Sequence, residues 1–352
     1  MTQNSPAIIN KYRLKQLLNW DYIGVPIILI VLSWIAYSIE PRFLNYSNII
    51  NVLGQTSILA IAAFGQAFVI INGTIDISVG SMVALTAIIS TIMARDYGLV
   101  PGLFAGVVSG ALLGYINGFV ITRFKVQPVI ATIAMLNIAR GLAFALSDGQ
   151  PILGMPDGYS FLGYGKILDI PVRILLALVL LLLGQFFLSK MKTGRKIYAI
   201  GGDIEASRIS GINVSRIRTL VYVLSGIMAG FTALVISGRA NSGQSTIGVY
   251  MELNTIAAVV IGGTALSGGR GNLIRTFAGA LIITILSNGM NLAGVSPYLQ
   301  EMTIGFVIIL AVLIDKIRLG EEAFLGKIFS GRTFDNVFNK RKEVIHTSDC
   351  DE

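Results

Sequence analysis

The chain has one cysteine, Cys350, and one histidine, His346, and both lie in a polar stretch at the C-terminal end. A single thiol cannot close a disulfide within a chain, and one thiol with one imidazole cannot make a His/Cys metal site of ordinary ligand number. The remaining sequence offers no histidine for a Ser-His-Asp or Cys-His arrangement, so catalysis by this chain is not expected. It has no GxxxxGK[ST] phosphate loop, so no nucleotide cofactor is expected to bind here. Charge is scarce as well. Asp, Glu, Lys and Arg make up 13% of residues, where soluble domains carry roughly 25%. The formal charge of +8 does not point to nucleic acid, because the Lys and Arg sit between apolar runs and near the ends. There they act as orientation signals and as contacts to anionic lipid.

What the chain has in abundance is apolar sequence, at 54% of residues. A bilayer-crossing helix needs about 20 mostly apolar residues. Runs of that kind cover Tyr22 to Ile39, Ile49 to Ile71, Ser78 to Ala94, Gly102 to Thr122 and Pro128 to Leu146. Others cover Pro171 to Ser189, Thr219 to Ser237, Leu253 to Leu266, Leu273 to Ala293 and Leu299 to Ile317. The expected fold is thus an all-α polytopic membrane protein with roughly ten spans. The run from Leu253 is short and reads as a broken or re-entrant element. The polar start has no cleavage pattern, so the first span reads as a retained anchor. Lys11, Arg13 and Lys15, then Arg123 and Lys125, the segment 190–218, and Lys316, Arg318 and Lys327 all fall on one side if the N-terminus is inside. The positive-inside rule then places both termini in the cytoplasm and the 149–169 segment outside. The expected organisation is a cytoplasmic segment 1–20, a membrane body 21–318 and a polar, partly disordered cytoplasmic tail 319–352.

Gly102, Gly106, Gly110, Gly114 and Gly118 recur every fourth residue, with a weaker echo at Gly226 and Gly230. Residues four apart share a helix face, so this ridge predicts backbone-close packing on another helix. Polar groups at membrane depth are scarce: Gln66, Asn72, Asp76, Ser78, Asn117, Gln127, Asn137, Asn254, Thr264, Asn288 and Asn291. Of these only Asp76 is charged, which suits passage of a neutral polar solute such as a sugar better than ion coupling. The same amides also serve to pair helices, and both readings stand. For Asp76 the alternatives are a place on the pathway or a structural role at the start of the helix that Ser78 caps.

Two breaks interrupt the apolar runs, NGTIDISVGS (Asn72 to Ser81) and IGGTALSGGRG (Ile261 to Gly271). Their approaches match, AFVIINGT (Ala67 to Thr74) against AAVVIGGT (Ala257 to Thr264). Discontinuous helices at paired positions mark many transport pathways. Both approaches run the same way through the membrane in this topology, so they do not indicate an inverted repeat.

The longest polar segment, KMKTGRKIYAIGGDIEASRISGINVSRIR (Lys190 to Arg218), carries seven Lys or Arg against Asp203 and Glu205. Glycines on either side of DIEAS predict a brief surface helix from Gly202 to Gly211 held between flexible ends. It either docks another protein or is a solvated connector.

Taken together, NGTIDISVGS, TGRKIYAIGGDIEASRISGI (Thr193 to Ile212), ELNTIAAVVIGGTALSGGRGN (Glu252 to Asn272) and NGMNLAGVSPYLQ (Asn288 to Gln300) carry a resemblance over Phe43 to Arg318. The chain resembles the permease subunits of bacterial ATP-binding-cassette (ABC) sugar importers, in the ribose/xylose/galactose/autoinducer-2 branch. It departs from the family where Asn72, Gly73 and Thr74 replace the usual glycine pair, and where Glu205-Ala206-Ser207 replaces EAA. The resemblance implies two permease subunits around one path, a cytoplasmic ABC ATPase that binds ATP and Mg, and an extracytoplasmic sugar-binding protein. It implies that Gly202, Asp203, Glu205, Ala206, Ser207, Arg208 and Gly211 form the coupling helix seated in the ATPase. The monosaccharide expected is ribose-like, with autoinducer-2 behind it. The competing readings are an ion-coupled transporter or facilitator of small polar solutes and, disfavoured by the missing His, Cys and paired acids, a membrane enzyme or signalling protein.

Overall fold

The computed structural model describes residues 20–318, with side chains from 24 to 313. The expected cytoplasmic N-terminal segment, the polar tail, Lys327, His346 and Cys350 lie outside the described residues. One compact unit runs to Ile308; the described part of a second, Ile309 to Arg318, is the helical end of the last helix.

The described residues are mostly helical. In order come α1 (Trp20–Ile39), α2 (Tyr46–Ile71), α3 (Val79–Tyr97), α4 (Leu99–Arg123), α5 (Pro128–Ser147) and a one-turn α6 (Phe161–Tyr164). A two-residue hairpin, β1 (Lys166–Ile167) against β2 (Ile170–Pro171), leads into α7 (Val172–Lys190). Then follow α8 (Lys192–Gly202), α9 (Ile204–Ile209), α10 (Val214–Ala240), α11 (Met251–Ile261), α12 (Leu273–Leu292) and α13 (Pro297–Arg318). Among the described residues seven helices are long and apolar enough to cross a bilayer, namely α2 to α5, α7, α10 and α12. Three shorter apolar helices, Gly24–Ile39, Met251–Ile261 and Pro297–Leu313, complete the roughly ten expected. The 11 residues of α11 rise about 16 Å, half of a ~30 Å hydrocarbon core, so the short eighth run is a broken element.

α2 is the centre of the body and the most buried of the seven, with Ala60 to Phe64 and Ala67 to Ile71 closed off from the surface. A helix apolar all round belongs in an interior. By contrast, α4 exposes Val100, Phe104, Leu112 and Ile116, apolar side chains that suit lipid or another subunit. The glycine ridge of α4 packs antiparallel on α10. A Cβ at Gly110 would strike the Gly226 carbonyl, one at Gly114 the Tyr222 carbonyl, and one at Gly118 would lie 2.7 Å from Thr219 Cα. The weak echo at Gly226 and Gly230 is the other half of this contact, since a Cβ at Gly226 would strike the Gly110 carbonyl in return.

The segment between α5 and α7 is anchored, not loose. Tyr159 is fully buried, and its hydroxyl lies 2.9 Å from Ser90 Oγ on α3 and 2.9 Å from Ser237 Oγ on α10.

The expectation for residues 190–218 needs correction. Most of the segment is helical, in α8 and α9, where the sequence reading had one brief helix in a long loop. Ile197 and Ile200 of α8 are fully buried, and Gly194 lies against the Phe187 and Leu188 carbonyls. That apolar face, at i and i+3, is what orders the helix against the body.

Candidate functional site

The two breaks have one local structure. After α2, Gly73 N–H donates to the Ile70 carbonyl (2.9 Å) and Thr74 N–H to the Val69 carbonyl (3.2 Å). After α11, Gly263 N–H donates to Val260 (2.8 Å) and Thr264 N–H to Val259 (3.1 Å). Gly73 has φ 80° and Gly263 φ 81°, a left-handed conformation that closes a helix and that glycine adopts without strain. The matching octapeptides therefore encode matching helix ends.

These ends meet at the segment that follows α7. Gly269 N–H donates to the Ile71 carbonyl at 2.9 Å, and a Cβ at Gly268 would sit 2.8 Å from Gly73 Cα. A Cβ at Gly201, in the last turn of α8, would collide with the Ile71 carbonyl and lie 2.5 Å from Gly269 N. The Tyr198 hydroxyl, also on α8, donates to the Gly271 carbonyl at 2.8 Å. So α8 touches the end of α2 and the break that follows α11, through backbone atoms of both. The Gly201-Gly202 pair is thus no flexible hinge: Gly201 is fixed by close approach, and only Gly202 faces open space.

Asp203 starts α9 as its cap, its carboxylate accepting from Ala206 N–H at 2.9 Å. Gly211, at φ 77°, ends it: Gly211 N–H donates to Arg208 and Ile212 N–H to Ser207, each at 3.0 Å. Ser207 turns inward and is buried. Gly202, Glu205, Ala206 and Arg208 are exposed, and Glu205 and Arg208 form a solvent-facing ion pair of 3.4 Å. The side chain that sequence reasoning passed over is Ile209, 86% exposed at the end of this helix. A large apolar side chain held out from a short polar helix is a contact looking for a partner surface. Beside α9 a cavity of about 530 Å³ reaches the α4–α5 link, with Gln127, Arg208 and Arg218 on its wall.

Asp76 is fully buried in the first break. Its Oδ1 accepts from Ser78 N–H (2.9 Å) and Ser78 Oγ–H (2.6 Å), and its Oδ2 from Ser225 Oγ–H (3.0 Å). Asn117 Nδ2 donates to Ser78 Oγ at 2.9 Å. Ser78 makes no side-chain cap of its own; Asp76 holds the chain entering α3, at the positive end of the helix. The carboxylate ties the start of α3 to α10, Ser78 ties it to α4, and Arg218 Nε reaches Asn72 Oδ1 at 3.5 Å in the same region.

The other membrane-depth polar residues divide. Asn288 is spent on a reciprocal amide pair with Asn48 (2.9 and 3.0 Å), a link between α12 and α2. Asn137 is exposed and donates to its own helix at Ile133, and Asn291 is exposed. Asn254 lines a cavity at the far end of the body. Gln66, both amide atoms, Asn72 Nδ2 and Thr264 Oγ1 are buried with no hydrogen-bond partner, which leaves polar capacity within and beside the breaks. Charge at depth is not confined to Asp76. Arg140 of α5 donates to the Ser245 and Ile247 carbonyls at 2.6 and 2.8 Å and fixes the segment that enters α11. Its signal, one arginine inside the apolar run 128–146, was present in the sequence.

A family model described as branched-chain amino acid transport system / permease component matches residues 48–312. The chain is 41% identical over 298 residues to the ribose import permease protein RbsC of Bacillus subtilis, covering 84% of this chain and 91% of that protein. To RbsC of Escherichia coli K12 it is 38% identical over 294 residues, 82% of this chain and 92% of the relative. To the L-arabinose transport system permease protein AraH of E. coli K12 it is 32% identical over 301 residues, 84% and 91%. No solved structure matches.

Proposed function

The chain belongs to the branched-chain amino acid transport system / permease component family, among permeases of ABC sugar importers, and we propose that it carries a ribose-like monosaccharide across the bacterial inner membrane, driven by ATP hydrolysed on a separate subunit. In this reading the ATPase, with its ATP and Mg, sits in the cytoplasm, a binding protein delivers sugar from outside, and a second permease copy or close paralogue completes the path. Both termini face the cytoplasm, and 21–318 is the working body, with 1–20 and 319–352 as cytoplasmic extensions. Similarity to ribose import permeases favours ribose; autoinducer-2 is the second substrate to try.

The observation that carries the proposal is the three-way backbone contact of Gly201, Ile71 and Gly269. A body docked on Glu205, Arg208 and Ile209 pulls on Gly201 through a link of only two residues, Gly202 and Asp203. Gly201 has no side chain to flex and no gap to absorb the displacement, so the end of α2 and the break after α11 shift with it. Packed interiors pass on small displacements instead of damping them. ATP and ADP states of the partner would favour different positions of α9, and such differential contact is what a conformational change requires. The unpartnered Gln66 amide, Asn72 Nδ2 and Thr264 hydroxyl would find partners in the other arrangement.

The test is reconstitution in liposomes with the candidate ATPase and binding protein. Labelled ribose should enter only when ATP, ATPase and loaded binding protein are all present. Uptake driven by a sodium or proton gradient without the ATPase would instead establish the ion-coupled alternative.

A further inference from the structure

At the end of the body opposite the glycine junction, a cavity of about 520 Å³ opens between α2, α10, α11 and α12. Chain direction fixes its place. Gln55 stands in the first half of α2, Arg239 in the last turn of α10, Asn254 in the first turn of α11 and Ser287 toward the end of α12. The junction uses the other end of α2, α11 and α12. In the topology proposed above, the cavity therefore lies on the outer side.

Its polar wall is unlike the rest of the interior. Elsewhere serine and threonine hydroxyls mostly bond back to their own helix, and Thr284 in this cavity does so, on the Ala280 carbonyl at 2.8 Å. The side chains of Arg239, Asn254 and Ser287 make no hydrogen bond to protein among the described residues, and Arg239 has no ion-pair partner. Gln55 spends only its Nε2, on Asn51 Oδ1 at 3.3 Å. Asn48, Asn51 and Gln55 follow one another at helical spacing, a polar line from the start of α2 into the cavity. No carboxylate lines the wall, so nothing there recruits a cation, and a fixed guanidinium repels one.

We propose that this cavity is a subsite for a neutral polyhydroxylated sugar ring, occupied on the way from the outer face to the glycine junction. The volume falls among those of small-ligand pockets, roughly 300–1,000 Å³. Arg239 offers a rigid fork of N–H donors to two adjacent hydroxyl oxygens. The amides of Asn254 and Gln55 and the Ser287 hydroxyl both donate and accept, as sugar hydroxyls do. These residues then set which sugars pass at a useful rate, a selection additional to any made by a binding protein. The inference rests on the permease reading.

The test uses the complete transporter in proteoliposomes with labelled D-ribose. Wild-type uptake that depends on ATP and binding protein checks the permease reading separately; its absence would remove that reading and this one together. With it present, Arg239→Gln and Asn254→Leu should each lower uptake about tenfold at wild-type levels of assembled complex. Arg239→Lys, which keeps the charge and loses the fork, should fall nearly as far. In a Cys350→Ser background, the thiol of Ser287→Cys should react with a small thiol reagent several-fold more slowly when ribose is present. Wild-type uptake by both Arg239→Gln and Asn254→Leu would overturn the subsite. So would a reaction at position 287 indifferent to ribose.

Discussion

Two adjacent glycines in the same turn should respond differently to the same substitution. Gly201 and Gly202 end α8, and both become better helix formers as alanine, by up to about 1 kcal/mol. That gain largely cancels in a comparison of the two variants. What remains is the added methyl group. At position 202 it meets nothing within 4 Å. At position 201 it collides with the Ile71 carbonyl and crowds Gly269 N at 2.5 Å. Relief requires separating backbone from backbone, because neither neighbour is a movable side chain. Overpacking of this kind costs about 1–3 kcal/mol. Loss of the Gly269 to Ile71 hydrogen bond adds about 1 kcal/mol. The Gly201→Ala variant should thus be less stable than Gly202→Ala by roughly 2–4 kcal/mol. Thermal unfolding in detergent, with sugar-stimulated ATP hydrolysis in the reconstituted complex, reads both consequences. Gly201→Ala should melt several degrees lower and lose stimulation, while Gly202→Ala melts at or slightly above the wild type. Equal melting of the two variants would refute the close contact and, with it, the rigid link between α8 and the breaks.

Gly110→Leu should lower the melting temperature of the membrane body, since its Cβ alone already collides with the Gly226 carbonyl; unchanged melting would mean α4 and α10 do not touch through backbone. Asp76→Ala strands the donors of Ser78 and Ser225 and should cost about 2–3 kcal/mol, whereas Asp76→Asn, which keeps an acceptor, should cost less; equal loss in chemical unfolding would assign the effect to charge instead. A double-mutant cycle of Asn48→Leu and Asn288→Leu should give a coupling energy of about 0.6 kcal/mol or more, with uptake surviving in the singles that still assemble; strict additivity would remove the amide pair as a helix link.

What could be read in advance follows from how local each cause is. The spans were legible because bilayer thickness imposes a length on apolar runs, and the break after Ile261 because α11 is too short for that length. The ridge from Gly102 to Gly118 showed its spacing, but only the structure paired it with Gly226 and Gly230, since a stripe of small residues does not name its partner helix. The octapeptides before Thr74 and Thr264 look alike because both close a helix through a left-handed glycine, a local event. Their meeting at Gly201 depends on the path of the chain through the bundle and left no mark beyond a glycine pair, easily taken for a hinge. The helix Lys192–Gly202 was obscured by its own basic residues: Ile197 and Ile200 are few against Lys192, Arg195 and Lys196, yet it is those two that pack inward. Among the site residues, Asp203 as a cap and Gly211 as a terminator follow from α9 alone. The division of the asparagines, Asn288 to Asn48 and Asn254 to a cavity, required knowing which helices are neighbours.

The docking role of α9 is tested most directly by co-purification of the transporter with its ATPase after Glu205→Lys and, separately, Ile209→Lys. Both side chains point into solvent, so neither change should disturb insertion or melting. Each should deplete the ATPase from the purified complex and abolish stimulation of ATP hydrolysis by loaded binding protein, as should Gly211→Trp, which blocks the left-handed turn at φ 77°. Full co-purification and full stimulation in all three variants would show that α9 is a connector exposed to solvent and contradict the account.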